Sequence, residues 1–253
     1  MAQAKLEPIV GWFENSLALE DEVVETIDYG TVEAGSDSDE KTFFIINNRN
    51  GDFDVPKMEE VNFTTRDRQG GVGDTEGNEV EAVKDNWFLV KVDSLDEIDF
   101  TQVGRGGEGQ PNESGVKEIG TTGSTISAMK DVAEEWSAAT EFEEGTFVKP
   151  TDPESEYLYV VISGGTTAGV EPSWVASAGE NTNDGSVTYR AYAIEQAPAT
   201  GELLGLANNI DAEGNGAVDA EGNFAKITVY AEVPEDASSG INKLLFRCNY
   251  KFI

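Results

Sequence analysis

Carboxylate and amide oxygens recur at short intervals in one stretch of the second half of the chain. They occupy its positions one, three, five and nine, and a glycine occupies position six. Calcium is held by oxygen ligands that converge around a sharp turn, and glycine at the sixth position permits that turn. The spacing therefore predicts a structural site for a divalent cation, Ca²⁺ or Mg²⁺. Its ligands would be Asp211, Glu213, Asn215 and Asp219.

The same stretch departs from a calcium loop at its end. Position twelve is Gly222, where a calcium loop has a bidentate glutamate, and the sequence predicts no flanking helix. The alternative is a polar hairpin loop, which a shorter repeat of the pattern over residues 219–223 favours. No other cofactor is predicted.

Four aromatic side chains form a second candidate site. Aromatic rings pack against the apolar faces of sugars, which predicts a platform that binds a glycan. A segment this small also needs its aromatic residues for its own core, and we expect that structural use to dominate. The residues concerned are Tyr157, Tyr159, Trp174 and Tyr189.

The sequence predicts no catalytic residues. It contains no histidine, which excludes a Ser-His-Asp triad, a Cys-His dyad and any histidine-ligated zinc site. Its one cysteine, Cys248, excludes an all-thiolate zinc site and an internal disulfide. A glycosidase needs two carboxylates roughly 5 to 10 Å apart, and a sequence with 49 acidic residues does not single out any such pair.

The charge of the chain is strongly negative. The sequence has 49 acidic and 17 basic residues, which gives a net charge of −32. Self-repulsion at this charge is destabilising in dilute buffer and is largely screened in molar salt, where the Debye length falls to about 3 Å. We interpret the composition as adaptation to a salt-rich medium; the alternative is an ordinary acidic surface protein.

Composition also limits the partners. The acidic residues are dispersed and 38% of the residues are hydrophobic, which argues against a disordered acidic chain. Nucleic acid is disfavoured as a partner because a duplex would approach a strongly negative surface. No run reaches the roughly 20 apolar residues of a membrane span, so membrane insertion is not predicted.

Short apolar runs separated by turn residues predict an all-β protein. Most runs alternate, and TFFIIN is continuous, as is typical of a central strand. Such strand signals at short intervals indicate a β-sandwich. Residues 67–83 are predicted as a loop too polar to pack, and 130–140 as a helical or turn-like connection. Strands are predicted over Val23–Val32, Thr42–Asn47, Met58–Arg66, Asn86–Asp93, Ile98–Val103, Phe224–Val233 and Asn242–Ile253.

Residues 142–192 form a pattern of their own, that of a small β-meander. Tyr157–Ser163 alternates and is rich in aromatic and β-branched residues, which predicts a strand. Two glycines then break it, Asn183-Asp184-Gly185 signals a tight turn, and residues 186–192 alternate again as a closing strand.

This stretch resembles a small module that recurs in virion proteins of tailed viruses of bacteria and archaea. The pattern that carries the resemblance is Y-x-Y-V-V-I-S-G-G-T-T-A-G-V-E-P-S-W, followed by G-E-N-T-N-D-G-S-V-T-Y. Tyr189 stands where the module usually has tryptophan. The module occurs in tail fibres, baseplate parts and capsid decorations, so the resemblance implies a virion component without choosing its position.

The flanking sequence resembles immunoglobulin-like virion proteins. The likeness lies in DYGTVEAGSDSDEKTFFIINN and AKITVYAEVPEDASSGINKLLFRCNYKF. It implies an immunoglobulin-like β-sandwich, with a sandwich edge that mediates assembly, into which the small β-meander is inserted. We expect an N-terminal arm or docking strand over 1–22, a discontinuous sandwich over 23–135 and 196–253, and an inserted β-domain over 136–195.

These observations predict a non-enzymatic structural protein on the particle surface of a tailed virus, most simply a haloarchaeal one. It would be a tail, baseplate or capsid-vertex decoration component that forms a homo-oligomer and contacts neighbouring virion proteins. The first alternative is an adhesin that binds a host surface glycan. The second is a polysaccharide-cleaving tail enzyme.

Overall fold

The chain forms two compact units in a computed structural model that describes residues 7–14, 16–18, 24–123, 133–152, 155–193, 198–208, 210, 212–214 and 216–253. Unit 1 comprises Met1–Gly123 and Pro198–Ile253, and unit 2 comprises Ser124–Ala197. Unit 2 therefore interrupts unit 1 in sequence and begins earlier than the inserted domain that the sequence predicts over 136–195.

Strands dominate both units, which confirms the all-β prediction. Helical structure in the described residues is limited to the short helix α1 (Glu81–Lys84) and two 3₁₀ turns, Asp93–Leu95 and Ala217–Asn223. Within these ranges no helix has the length and apolarity to cross a membrane. The strands are β1 (Val10–Glu14), β2 (Lys41–Asn47), β3 (Glu59–Asp67), β4 (Phe88–Val92), β5 (Thr101–Val103), β6 (Lys117–Glu118), β7 (Glu134–Glu135), β8 (Glu141–Phe142), β9 (Phe147–Lys149), β10 (Tyr157–Ser163), β11 (Gly165–Thr166), β12 (Asn181–Asp184), β13 (Val187–Ala193), β14 (Phe224–Ala231) and β15 (Leu244–Lys251).

Unit 1 is a β-sandwich. One sheet has five antiparallel strands in the order β1-β2-β14-β4-β5. The other has three antiparallel strands in the order β15-β3-β6. Phe43 and Ile227 of the first sheet and Phe63 and Phe246 of the second belong to one hydrophobic core. The sandwich prediction is confirmed, and the finer immunoglobulin-like assignment stays a prediction.

Strand β2 contains a continuous apolar run over residues 43–46 because both of its faces are covered there. Phe43 and Ile45 face the core between the sheets, whereas Ile46 belongs to a second cluster with Phe13 of β1 and the partly buried Phe44. A strand buried on two faces needs no alternation, which accounts for the continuous run TFFIIN. The remaining members of the second cluster are Leu17, Ile210, Ala217, Ala220 and Phe224.

The strand predicted over Val23–Val32 is wrong for the described residues 24–32, which form a loop. Its apolar side chains, among them Ile27 and Tyr29, pack against the core. The Tyr29 hydroxyl donates a hydrogen bond to the Val229 carbonyl oxygen at 3.2 Å. The alternation therefore reflects a loop that covers the sandwich and buries every second or third side chain.

The N-terminal segment, predicted as an arm or docking strand over 1–22, supplies β1 to its own sandwich. Trp12 lies opposite Ile45 in the β1–β2 ladder. Its ring centroid is 6.1 Å from that of Phe63 in the facing sheet. Residues 10–14 therefore form an edge strand of the sandwich of their own chain.

The loop predicted over residues 67–83 as too polar to pack is organised around Asp67. The Asp67 carboxylate accepts hydrogen bonds from three backbone amides at 2.8 to 3.2 Å. These bonds, that of Gly71 foremost, hold the pKa of Asp67 below its usual value. The loop then leads into α1, where Ala82 and Val83 are buried. The loop itself is found over residues 68–80, most of which are exposed, but its description as too polar to pack is wrong at Asp67, where backbone donors replace water around the acidic side chain.

Unit 2 has its own sheets and its own core. Five strands form a sheet in the order β12-β13-β10-β9-β7, and β11 pairs with β8. The β7–β9 pair is parallel and the other pairs are antiparallel. Two clusters of buried side chains fill the described part of the unit. The smaller comprises Ala133 and Leu158, with Phe147 packed against them. The larger comprises Trp136, Phe142, Val148, Tyr159, Val161, Val187, Tyr189 and Ala191.

The helical or turn-like connection predicted over 130–140 contains a strand. Within its described part, residues 133–140, Glu134–Glu135 forms β7 beside β9. The Trp136 amide donates a hydrogen bond to the Lys149 carbonyl oxygen at 2.9 Å. The helical interpretation is wrong here because the segment bonds to a neighbouring strand and places Trp136 in the core.

The chain leaves and re-enters unit 1 beside the same strand. The Ile119 amide donates to the Val61 carbonyl oxygen at 3.0 Å, and the Val61 amide donates to the Gly201 carbonyl oxygen at 2.8 Å. A Cβ placed on Gly120 would lie only 3.4 Å from the amide nitrogen of Gly201. Strand β3 therefore holds the sandwich segments that precede and follow the insertion side by side.

Candidate functional site

A buried carboxylate fixes the framework of unit 2. Asp184 is 4% exposed and ends β12, one residue before Gly185 in the tight turn to β13. Its Oδ2 accepts a hydrogen bond from the indole nitrogen of Trp136 at 2.7 Å, and its Oδ1 accepts one from the Ala168 amide at 2.8 Å. Gly185 has a φ of 60°, which favours glycine at this turn. One side chain thus ties the hairpin to two other parts of the unit.

Trp174 is held by ring packing and by hydrogen bonds. Its ring centroid lies 4.3 Å from that of Tyr159 and 5.0 Å from that of Tyr189. Its indole nitrogen donates to Glu171 Oε1 at 2.8 Å. Glu171 also accepts hydrogen bonds from the Thr151 amide, at 2.9 Å, and from the Thr151 hydroxyl. Partial burial of Glu171 opposes ionisation, but the bonds from Thr151 and Trp174 outweigh it and hold the pKa of Glu171 below its usual value.

An open groove of about 290 Å³ lies beside Trp174. Its lining combines the rings of Tyr157 and Trp174 with the exposed acidic residues Asp152 and Glu156. Apolar ring faces beside hydrogen-bond acceptors suit a ligand that has one flat apolar face and several hydroxyl donors, as a sugar ring has. The lining is completed by Pro150, Ser155, Tyr159 and Ala176.

The structure brings three of the four predicted aromatic residues to this groove. Tyr157, Tyr159 and Trp174 line it, whereas Tyr189 is fully buried beneath Trp174 and cannot contact a ligand there. Tyr159 is only 1% exposed, and its hydroxyl donates to the Val175 carbonyl oxygen at 3.1 Å. Packing among the rings therefore uses most of the aromatic surface, and Tyr157 and Trp174 remain partly accessible.

Two tyrosine hydroxyls in this core have opposite environments. That of Tyr189 is buried without a hydrogen-bond partner among the described residues, whereas that of Tyr159 is bonded to Val175. We expect Tyr189→Phe to raise the free energy of unfolding of unit 2 by about 1 kcal/mol, because it removes an unsatisfied buried group. We expect Tyr159→Phe to lower it by about 1 kcal/mol.

Hydrogen exchange of β10 and β13 peptides in the full chain measures both effects, with β2 and β14 peptides as the internal reference. Equal losses in the two variants would contradict the assignment of the Tyr189 hydroxyl as unsatisfied.

The predicted cation site falls largely outside the described residues. Asp211 and Asn215 lie outside them, as does the side chain of Asp219, and Glu213 is exposed. In the part of the chain that the structure describes, no group of three or more acidic or thiol side chains is placed to hold a metal ion. The Ca²⁺ or Mg²⁺ site on Asp211, Glu213, Asn215 and Asp219 therefore stays a prediction.

The acidic residues of the groove give no signal of their own in the sequence. Asp152, Glu156 and Glu171 are three of 49 acidic residues, and nothing in their spacing marks them. Their one local signal is the turn-forming stretch from Pro150 that precedes the aromatic run of β10. Glu171 lies three residues before Trp174, and it acquires its role only when the fold also brings Thr151 to it.

Comparisons with protein-family models, with curated proteins and with solved structures found no match for this chain.

Proposed function

We propose that this chain is a non-enzymatic structural protein on the surface of a tailed-virus particle, at the tail, the baseplate or the capsid vertex. In this role it assembles with its own copies and with neighbouring virion proteins. The observation that carries the proposal is the resemblance of residues 142–192 to a recurrent virion module, together with their place in a separate β-unit inserted into a sandwich.

The two-unit plan suits a surface component. The sandwich has an edge strand, β15, that can bond to a neighbour, while unit 2 has a core of its own. The sequence offers no histidine for acid–base or nucleophilic chemistry, which favours a role in adhesion and assembly.

Localisation tests this proposal directly. Density-purified particles of the virus that carries the gene should contain the chain at a copy number that matches a capsid or tail symmetry. Antibody labelling in electron micrographs should then place it on the outside of the particle. Absence of the chain from purified particles would overturn the proposed role.

The net charge of −32 supports a salt-rich environment as part of the same proposal. We expect the melting temperature to rise by roughly 10 °C between about 0.1 M and about 1 M potassium chloride, because screening relieves about 3 kcal/mol of self-repulsion. Sodium chloride should act equally, since screening depends on ionic strength. A melting temperature that does not change with salt concentration would favour the alternative of an ordinary acidic surface protein.

The groove beside Trp174 favours one second candidate, an adhesin that binds a host surface glycan. Tyr157 and Trp174 line it and remain partly exposed, and hydrogen bonding through Glu171 fixes the plane of the indole. A rigid ring loses little entropy when a sugar packs on it.

A glycan array probed with the full chain in molar salt tests the adhesin. Binding that disappears in Trp174→Ala and also in Tyr157→Ala would support it. The second variant removes a ring from the groove without removing the Trp174–Tyr159 stack, and because Tyr157 also packs against the core of unit 2, hydrogen exchange of β10 and β13 must match that of the wild type. Release of reducing sugar from host envelope would instead favour a polysaccharide-cleaving enzyme.

A further inference from the structure

Among the strands that the structure describes, β15 is an edge strand with a partner on one side only. It pairs with β3 from Leu244 to Lys251 and ends the order β15-β3-β6. In an antiparallel strand, part of the backbone N–H and C=O groups point away from the partner. The outer edge of β15 therefore presents hydrogen-bonding groups to any chain that approaches it.

Exposed apolar side chains concentrate around this edge. Among the described residues eight large apolar side chains are exposed, and four of them belong to the last thirteen residues of the chain. Ile241 and Ile253 are 86% and 90% exposed, which is costly for isoleucine in water. Leu245 and Tyr250 lie on β15 itself, and Ile241 and Ile253 lie just beyond its two ends. The four residues are Ile241, Leu245, Tyr250 and Ile253.

The same segment is basic in a chain that is otherwise acidic. Residues 237–253 contain Lys243, Arg247 and Lys251 and no acidic residue, although the chain has 49 acidic and 17 basic side chains. Cations on an edge strand often serve only to prevent aggregation. Here the three cations would repel a second basic edge strand and would attract an acidic surface. They therefore favour an acidic partner over a second β15.

Two arginines form the centre of this basic surface. Arg66 of β3 donates hydrogen bonds through Nη1 to the carbonyl oxygens of Gly104 and Thr65, both at 2.7 Å, and is thereby fixed. Burial and then the charge of Arg247 lower the pKa of Arg66. Within the described residues neither guanidinium has a carboxylate within 4.0 Å, and the Asp67 carboxylate is occupied by backbone amides. A carboxylate from outside would relieve this repulsion.

We propose that the outer edge of β15 is the docking site for an acidic extended segment of a second copy of this chain. The segment adds as a fourth strand beside β15, covers the exposed apolar side chains and places a carboxylate at Arg247 and Arg66. This inference rests on the proposed assembling role and specifies the surface and the polarity of the contact.

Charge decides against a symmetric contact between two β15 edges. Antiparallel pairing of two copies of β15 would bring the row of Lys243, Arg247 and Lys251 against the same row, and like charges across strands are destabilising. Lys251 is partly neutralised by an ion pair with Glu60 at 2.5 Å, so the repulsion comes mainly from Lys243 and Arg247. The rest of each copy is acidic and attracts this row. The contact is therefore head-to-tail, and head-to-tail contacts build rings or filaments rather than closed dimers.

Sedimentation velocity of the full chain over a range of concentrations tests the proposal. We use about 0.15 M and about 1 M potassium chloride, since the Debye length falls from about 8 Å to about 3 Å and the repulsion between acidic copies falls with it. The wild type should associate, and Arg247→Glu should weaken association at least tenfold, which corresponds to about 1.4 kcal/mol. Arg190→Glu makes the same charge change at an exposed position of unit 2 and should leave association unchanged.

Mixing the wild type with the Arg247→Glu variant tests whether the contact is head-to-tail. The Arg247→Glu variant keeps the acidic surface that binds a β15 edge but loses the basic β15 edge. It should therefore add to the end of a wild-type assembly, block further growth there and shorten the assemblies. Stronger association in the mixture than in the wild type alone would indicate edge-to-edge pairing and overturn the head-to-tail contact.

Failure of this inference differs from failure of the proposed role. Wild-type and Arg247→Glu proteins that associate equally would overturn the β15 site and leave the assembling role intact. A chain that stays monomeric at every concentration, yet is present in purified particles, would overturn self-docking alone. Absence from particles would overturn the role.

Discussion

Replacing Asp184 with alanine is expected to lower the free energy of unfolding of unit 2 by about 3 kcal/mol. The substitution leaves the indole N–H of the buried Trp136 and the Ala168 amide without their acceptor. Each unsatisfied buried donor costs about 1–3 kcal/mol. The hairpin from β12 to β13 also loses its connection to the rest of the unit, so we expect faster hydrogen exchange in β12 and β13 first.

Hydrogen exchange in the full chain checks this prediction, because peptides of β2 and β14 report on unit 1 in the same sample. Glu180→Ala removes an exposed acidic side chain of unit 2 and should change its stability by less than about 0.5 kcal/mol. If Asp184→Ala were no more destabilising than Glu180→Ala, the two hydrogen bonds would contribute nothing and the account of this turn would be wrong.

Replacing Phe246 with alanine is expected to destabilise unit 1 by about 3–4 kcal/mol. The ring packs edge-on against four others, with centroid distances of 5.2 Å to Phe63 and to Phe88, 6.0 Å to Phe43 and 6.1 Å to Tyr29. Through this ring the edge strand β15 packs against both sheets and against the loop over residues 24–32. Its removal leaves a cavity where four rings meet.

The adjacent position offers a matched control. Leu245 lies on the same strand, is exposed and takes no part in the core, so Leu245→Ala should change stability by less than about 0.5 kcal/mol. Chemical denaturation of the full chain followed by circular dichroism, with peptides of β3 and β15 followed by hydrogen exchange, measures both variants. A loss below about 1 kcal/mol for Phe246→Ala would show that the four rings repack around the gap.

Local sequence patterns predict where strands lie when burial of the side chains is the main determinant of residue type. TFFIIN does not alternate in polarity because both faces of β2 are buried. Residues 157–163 are apolar nearly throughout for the same reason, since Tyr159 and Val161 face one cluster and Leu158 is buried in another. The pairing of strands cannot be predicted in this way. β2 lies between β1 and β14, which come from opposite ends of the chain, and no local pattern records that choice.

The wrong secondary-structure predictions for residues 24–32 and 133–140 share one physical origin. An alternating pattern reports which side chains are buried, and it does not report what the backbone bonds to. The loop over residues 24–32 buries Tyr29 as a strand would, without a ladder. Glu134–Glu135 has no strand signal, yet it pairs with β9 because the next residue, Trp136, enters the core. Tertiary packing decides both cases.

The candidate groove was accessible to sequence reasoning only in part. Aromatic residues in a small β-unit predict a cluster of rings, and Tyr159, Trp174 and Tyr189 do cluster. Which ring stays accessible depends on the hydrogen bond from Trp174 to Glu171 and on the register of β10 against β13. The strands β10 and β13 are distant in sequence, and Glu171, although only three residues before Trp174, carries no distinctive spacing.

The adjacency of Gly120 and Gly201 beside β3 has an evolutionary consequence. The sandwich segments before and after the insert lie side by side, so an insert destabilises the sandwich mainly through loop-closure entropy. This cost grows by only about 0.6 kcal/mol for each doubling of the length of the insert. Foreign modules of very different size could therefore be spliced in at this junction, or lost from it, while the residues of the sandwich core stay as they are.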